Sequence, residues 1–136
     1  MTLPFDPVPR LPHAIPFVLL DRVVEVGDRT GVFVKLVSAT DPCVGGDGRL
    51  PAAFVLEALA QGGGALLAAH GGDAPAGGYL AAVDDFRMLS DVRVGDEMRV
   101  EIEILRTFGG AVSVRGRALV DGRVCAEGRV TLKPPR

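Results

Sequence analysis

LPAAFVLEALAQGGGALLAAH, residues Leu50 to His70, is the stretch whose reading decides the fold. It is apolar on every side, and a helix of that kind is buried rather than laid on a surface. Pro51 suits its first turn, where a missing N–H has no intrahelical partner to lose. Between Pro51 and Ala69 the one ionisable side chain is Glu57, with Gln61 one turn further along the same face. A carboxylate in an apolar helix is costly to bury, so Glu57 invites a functional reading. The plain alternative is that it reaches a backbone donor or a water-filled edge. Gly62, Gly63 and Gly64 each cost about 1 kcal/mol against alanine inside a helix. Close approach by a sheet, a partner helix or an acyl chain would explain them; a helix that weakens or ends early is the other reading.

The segment approaches the ~20 residues needed to span a bilayer. It nevertheless holds Glu57, Gln61 and three adjacent glycines, and no other segment matches it. A buried helix in a soluble protein is the better reading, and no membrane partner is expected. The chain of 136 residues is one domain's worth, 1–136, large enough for a core of its own. Charged residues make up 24% and the net charge is -2, which argues against a broadly basic nucleic-acid-binding surface. Cys43 and Cys125 show neither metal-ligand spacing nor a disulfide framework, so no metal site is expected. The start, MTLPFDPVPR, lacks a basic region followed by an apolar one, so a cytoplasmic location is expected.

Around the helix the chain reads as strands. Pro4, Pro7, Pro9, Pro12 and Pro16 make residues 1–16 an extended arm. Phe17 to Val26 and Gly31 to Ser38 read as strands separated by the turn residues Gly27 to Thr30. Ala39 to Arg49 (ATDPCVGGDGR) is a loop leading into the helix, and His70 to Gly78 is a second glycine-rich loop. Tyr79 to Met88 is a less regular strand. Met98, Val100, Ile102 and Ile104 alternate with Arg99, Glu101 and Glu103, the pattern of a half-buried antiparallel strand. Ala111 to Val120 follows, and Asp121-Gly122 is a strong hairpin signal. Val124, Ala126, Gly128, Val130 and Leu132 then share one face of a last strand. Two strands, one enclosed helix and about four more strands give the α+β class: a curved antiparallel sheet wrapped around one long central helix. One sheet covers only part of such a helix, and a second copy is the expected cover for the rest.

That architecture is the hotdog fold, and three stretches carry a resemblance to a family that has it. Leu11–Arg22 (LPHAIPFVLLDR), Leu50–Gln61 (LPAAFVLEALAQ) and Val83–Asp96 (VDDFRMLSDVRVGD) resemble the FabZ-type β-hydroxyacyl-acyl-carrier-protein dehydratases over nearly the whole chain. The resemblance implies a 3-hydroxyacyl thioester substrate on acyl carrier protein or coenzyme A, no cofactor, and a homodimer, a higher oligomer or a heteromer with another hotdog subunit. It also implies that Glu57, before Ala-Leu-Ala-Gln, is catalytic. The family's second catalytic residue is a histidine in the loop before the helix, falling at or beside Cys43 to Gly45. Here that loop reads Cys43-Val44-Gly45-Gly46-Asp47-Gly48-Arg49. The histidine is missing, as it is in some FabZ-like proteins associated with aryl-polyene synthesis, which can act beside a second, catalytically complete hotdog subunit.

Dehydration removes an α-proton and protonates a departing hydroxyl, usually with two positioned proton-transfer groups. The thioester oxygen also needs donors, which a helix N-terminus behind a glycine-rich loop supplies. Gly45, Gly46, Pro51, Ala52, Ala53 and Gln61 are therefore the expected substrate-binding residues around Glu57. His70, 13 residues further on, lies roughly 20 Å away along one helix and is excluded within a subunit. His13 belongs to what is a structural turn in the family. Asp47 is the better substitute base, although Asp47-Gly48 is also an ordinary turn pair. Cys43 reads as a small buried hydrophobe, and Arg87, Arg93, Arg99 and Arg106 as solvated charges or contacts for an acidic carrier. A single helix carboxylate also suits a hotdog thioesterase, and a catalytically inactive partner subunit is the third reading.

Overall fold

The computed structural model describes residues 19–70 and 79–133. His13, the proline-rich arm and most of the loop after the helix lie outside the described residues. Among the described residues six strands and one helix follow in order: β1 (Arg22–Val26), β2 (Thr30–Leu36), α1 (Ala52–His70), β3 (Tyr79–Met88), β4 (Glu97–Phe108), β5 (Ala111–Val120) and β6 (Arg123–Lys133). The strands form one antiparallel sheet in the order β1-β2-β4-β5-β6-β3. The helix packs on the middle of that sheet, against β4 and β5 with β2, β6 and β3 beside them. A single helix on an antiparallel sheet is the α+β arrangement expected.

Alternation fixes which face meets the helix. Met98, Val100 and Ile102 of β4, Val114 and Ala118 of β5, and Val130 and Leu132 of β6 are buried with Leu59, Ala65 and Leu66 of the helix in one core. The glycines let the helix backbone settle directly on that surface. A Cβ at Gly62 would lie 2.9 Å from Ile102 Cγ1, and one at Gly63 would lie 2.7 Å from Leu132 Cδ1. The sheet therefore accounts for both glycines, and the helix runs on without a break to His70.

Burial is not uniform around the helix. Ala53 is exposed, while Leu56, Glu57, Ala60 and Leu67 are half-buried, and these share one stripe. The helix is long and apolar enough to cross a membrane by length and composition, with a mean hydropathy of 1.5. Its packing is that of a core helix with one side left partly uncovered.

Details of the strands differ from the sequence pattern, each for a local reason. The first strand starts at Arg22 because Leu19 and Leu20 are core anchors, 2% and 3% exposed, rather than ladder residues. The β4 strand runs past Ile104 to Phe108 because a bulge between Ile104 and Arg106 interrupts the alternation without ending the pairing. In β6 the register shifts at Cys125, so Cys125 is buried and Val124 only half-buried, while Ala126, Gly128, Val130 and Leu132 keep the inward face. The turn Asp121-Gly122 has φ of 51° and 79°, both positive as a type I′ turn requires.

Candidate active site

The chain enters the helix through a loop tied down at both ends. Leu50 donates its amide to the Val92 carbonyl at 2.8 Å, and Val94 donates to the Gly48 carbonyl at 2.9 Å. Arg49 thereby bridges to Arg93 of the segment that precedes β4. The Pro51 carbonyl accepts from Phe54 and Val55, so Pro51 occupies the cap position and Ala52 is the first helical residue. Amides in a first turn have no intrahelical acceptor, and Ala52 and Ala53, which carry two of them, are exposed. These are the donors the helix start offers to an oxyanion.

Glu57 stands in the half-buried stripe of the helix. Gln61 Nε2 donates to Glu57 Oε1 at 3.2 Å, and Gln61 Oε1 accepts the Leu19 amide at 2.8 Å. Gln61 is 1% exposed. Its carboxamide is thus oriented by a backbone donor, which leaves the NH2 end facing the carboxylate. Gln61, expected to touch substrate, stands between the segment before β1 and Glu57.

The other expected residues divide by what their polar atoms already hold. The Gly45 amide donates to the Arg49 carbonyl at 3.0 Å, and the Gly45 carbonyl accepts from Gly48 at 3.0 Å. Gly46 is exposed. Asp47 Oδ1 accepts the Arg49 amide at 3.1 Å, and its other oxygen lies 3.5 Å from Arg49 Nε. Asp47 therefore serves the turn that it was also expected to form. His70, at the far end of the helix, has Nε2 2.7 Å from the Gly27 carbonyl and fastens the helix to the β1–β2 turn. Burial pushes the Cys43 thiol up from its usual value, Lys35 opposes that and Asp41 adds to it. A raised thiol is a poor nucleophile at neutral pH, in keeping with Cys43 as a packing residue.

Two features escaped the sequence reading. Lys35, on the inward alternation of β2 with Phe33, is 3% exposed and has its Nζ 3.2 Å from Asp41 Oδ2. A lone lysine inside the apolar run VFVKLV was the available signal. The second is a groove of about 1180 Å³ over the charged side of the sheet, with Arg99, Glu101, Arg117, Glu127 and Arg87 in its lining. It holds none of the expected site residues, and several of its charges pair with each other. Glu101 takes Arg99 at 3.0 Å and Arg117 at 2.6 Å, and Arg87 pairs with Glu127. The helix start and Glu57 combine exposed first-turn amides, a carboxylate and apolar surface. Among the described residues no group of three His, Cys, Asp or Glu side chains could hold a metal ion.

Comparison with known proteins bears on this geometry. Residues 6–136 match the ApeP-like family, described as ApeP dehydratase. A 3-hydroxyacyl-[acyl-carrier-protein] dehydratase FabZ from Thermomicrobium roseum is 36% identical over 126 residues, covering 88% of this chain and 84% of that one. The dehydratase heterocomplex ApeI:P from Xenorhabdus doucetiae superposes with a TM-score of 0.87 at 25% identity, over 97% of this chain and 92% of that chain. Thioesterase superfamily member 2 from mouse shares the fold, with a TM-score of 0.67 at 15% identity, over 81% and 78% of the two chains. The chain belongs to the ApeP-like dehydratases, within the FabZ-type hotdog family.

Proposed function

We propose that this chain works in the cytoplasm on 3-hydroxyacyl chains borne as thioesters on acyl carrier protein, as a dehydratase-type subunit of fatty-acid or polyene synthesis. Glu57 is its proton-transfer group. The observation that carries the proposal is Glu57 itself, a carboxylate on the uncovered stripe of a core helix, gripped by a buried Gln61. A base takes the α-proton, the first-turn amides of Ala52 and Ala53 receive the charge that develops on the thioester oxygen, and the Glu57 carboxyl group protonates the departing β-hydroxyl. Expulsion of the β-hydroxyl forms the double bond, and the hydroxyl leaves as water once it is protonated. Asp47 is held within its own turn, and Gly45 has its amide engaged. The second proton-transfer group is assigned to another subunit, in keeping with the dehydratase heterocomplex ApeI:P that the chain resembles. A second copy or a different hotdog chain, laid over the Ala53–Leu67 stripe, brings it to Glu57. Such a cover also supplies the remaining wall for the acyl chain.

The test is turnover of a 3-hydroxyacyl thioester by the chain alone and mixed with a second hotdog dehydratase subunit. Glu57→Gln should lower kcat/KM at least about 100-fold, the size of a lost general acid–base group. A variant with full turnover removes Glu57 from the mechanism. Thioester hydrolysis is the second reading, favoured by one carboxylate with no loop histidine, since a lone carboxylate can attack the acyl carbon or activate water. Release of thiol from a saturated acyl thioester, which has no hydroxyl to eliminate, identifies that activity.

A further inference from the structure

Lys35 is the one buried cation among the described residues. Its neighbours along the inward side of the strand are Phe33 and Val37, 0% and 4% exposed, and Met98 stands opposite it across the ladder at 0% exposure. An apolar side chain of the same length would pack there at least as well, because a buried ion pair rarely outdoes a hydrophobic replacement in stability. The pair calls for a use other than stability, and the hydrogen bonds around Asp41 point to one.

Asp41 Oδ2 accepts from Lys35 Nζ at 3.2 Å and from the Ser38 amide at 2.8 Å. The Asp41 backbone then takes part at both of its ends: its amide donates to the Ser38 carbonyl at 3.0 Å, and its carbonyl accepts the Val44 amide at 3.1 Å. From Val44 the chain passes at once to Gly45, whose bonds with Gly48 and Arg49 close the turn before the helix. A continuous run of bonds thus leads from the floor of the sheet, through one carboxylate, to the loop that enters the helix bearing Glu57. Cys43 and Val44, on that run, are themselves packed against the core.

We infer that Lys35 and Asp41 are a positioning pair, which pins the Cys43–Gly48 segment to the sheet and so fixes that loop relative to Glu57 on the helix it enters. The inference rests on the dehydratase reading above and adds to it the residues that set the loop. The ion pair suits this purpose because one carboxylate oxygen joins Lys35 Nζ of the sheet to the Ser38 amide of the loop, which an apolar contact at that place could not do. Substrate is not required to touch either residue.

The experiment compares the parent with Lys35→Met, Asp41→Asn and the double variant, each as the full chain with any partner subunit that the parent needs. The double variant removes both charges, so it stays folded even where an unpaired single charge would not. Its Tm is expected at or above that of the parent. Its kcat is expected to fall about tenfold with KM within about twofold, the size of a sub-ångström misplacement. The two single losses should not add, because both break the same pin. Hydrogen exchange at the Val44, Gly45 and Gly48 amides should quicken in all three. A double variant with kcat within about twofold of the parent overturns the inference. If parent and Glu57→Gln are equally silent in every mixture, the dehydratase reading is what fails. The pin is then judged on exchange alone, and unchanged exchange at those three amides overturns it.

Discussion

Gln61 offers the sharpest perturbation of the site, because among the described residues its buried side chain makes two bonds with different consequences. Gln61→Leu keeps the volume and removes both. The Leu19 amide, on a residue 2% exposed, loses the acceptor it has at 2.8 Å. An orphaned buried donor costs roughly 1–3 kcal/mol, and the bond to half-buried Glu57 adds about 0.5–1.5 kcal/mol. The leucine recovers about 1 kcal/mol through its extra apolar area. The net loss is about 1–3 kcal/mol, which for a domain of this length lowers Tm by roughly 3–10 °C. With its bond from Gln61 lost, the carboxylate is held less firmly and kcat should also fall by about tenfold. Gln61→Glu separates the two effects. Its carboxylate still accepts the Leu19 amide, but it faces Glu57 with like charge at a spacing now 3.2 Å. That variant should approach the parent in Tm at pH 5, where one proton is readily shared, and fall away at pH 8. Thermal unfolding at both pH values is the assay. A Gln61→Leu protein that melts with the parent would show that the Leu19–Gln61 bond holds nothing, and the reasoning about Glu57 would go with it.

Gly62→Ala should destabilise, although alanine is intrinsically better in a helix by about 1 kcal/mol. The new methyl would meet Ile102 Cγ1 at 2.9 Å and Val100 Cγ1 at 3.1 Å, and overpacking costs about 1–3 kcal/mol; urea unfolding decides the sign. Glu101 is pushed up by burial, but its bonds to Arg117 and Arg99 outweigh this and hold it below the ordinary 4.5. A depressed carboxyl contributes stability above its unfolded value that is lost as pH falls through the folded one. Glu101→Gln should therefore be less stable than the parent at pH 7 and lose less between pH 5 and pH 2. Cys43, raised mainly by burial, should be alkylated slowly at pH 8 and still be quickening with pH where an ordinary thiol has levelled off. Fast reaction at pH 7 would contradict its placement against the core.

The fold was legible where one face of an element is buried and the other wet. Met98, Val100 and Ile102 alternate because β4 has the helix on one side and water on the other, and Asp121-Gly122 declares its turn through backbone sterics alone. Tyr79–Met88 was read with the bounds it has. What escaped was whatever depends on a second strand's register: the bulge past Ile104, the shift at Cys125, and the non-ladder role of Leu19 and Leu20. The site follows the same rule. Glu57 was visible because a charge inside an apolar helix needs no partner to be noticed. Gln61 was visible only as its neighbour, since the Leu19 amide that orients it is 42 residues away. Asp47 and Gly45 looked available because sequence names a donor or acceptor without saying what already holds it. Lys35 was passed over for the opposite reason: six residues separate it from Asp41, yet only the inward pleat of β2 turns those two charges into a pair. A hotdog site is thus written twice in the chain. The reacting group appears in composition, and the groups that hold it in place appear in the register of strands that meet only after folding.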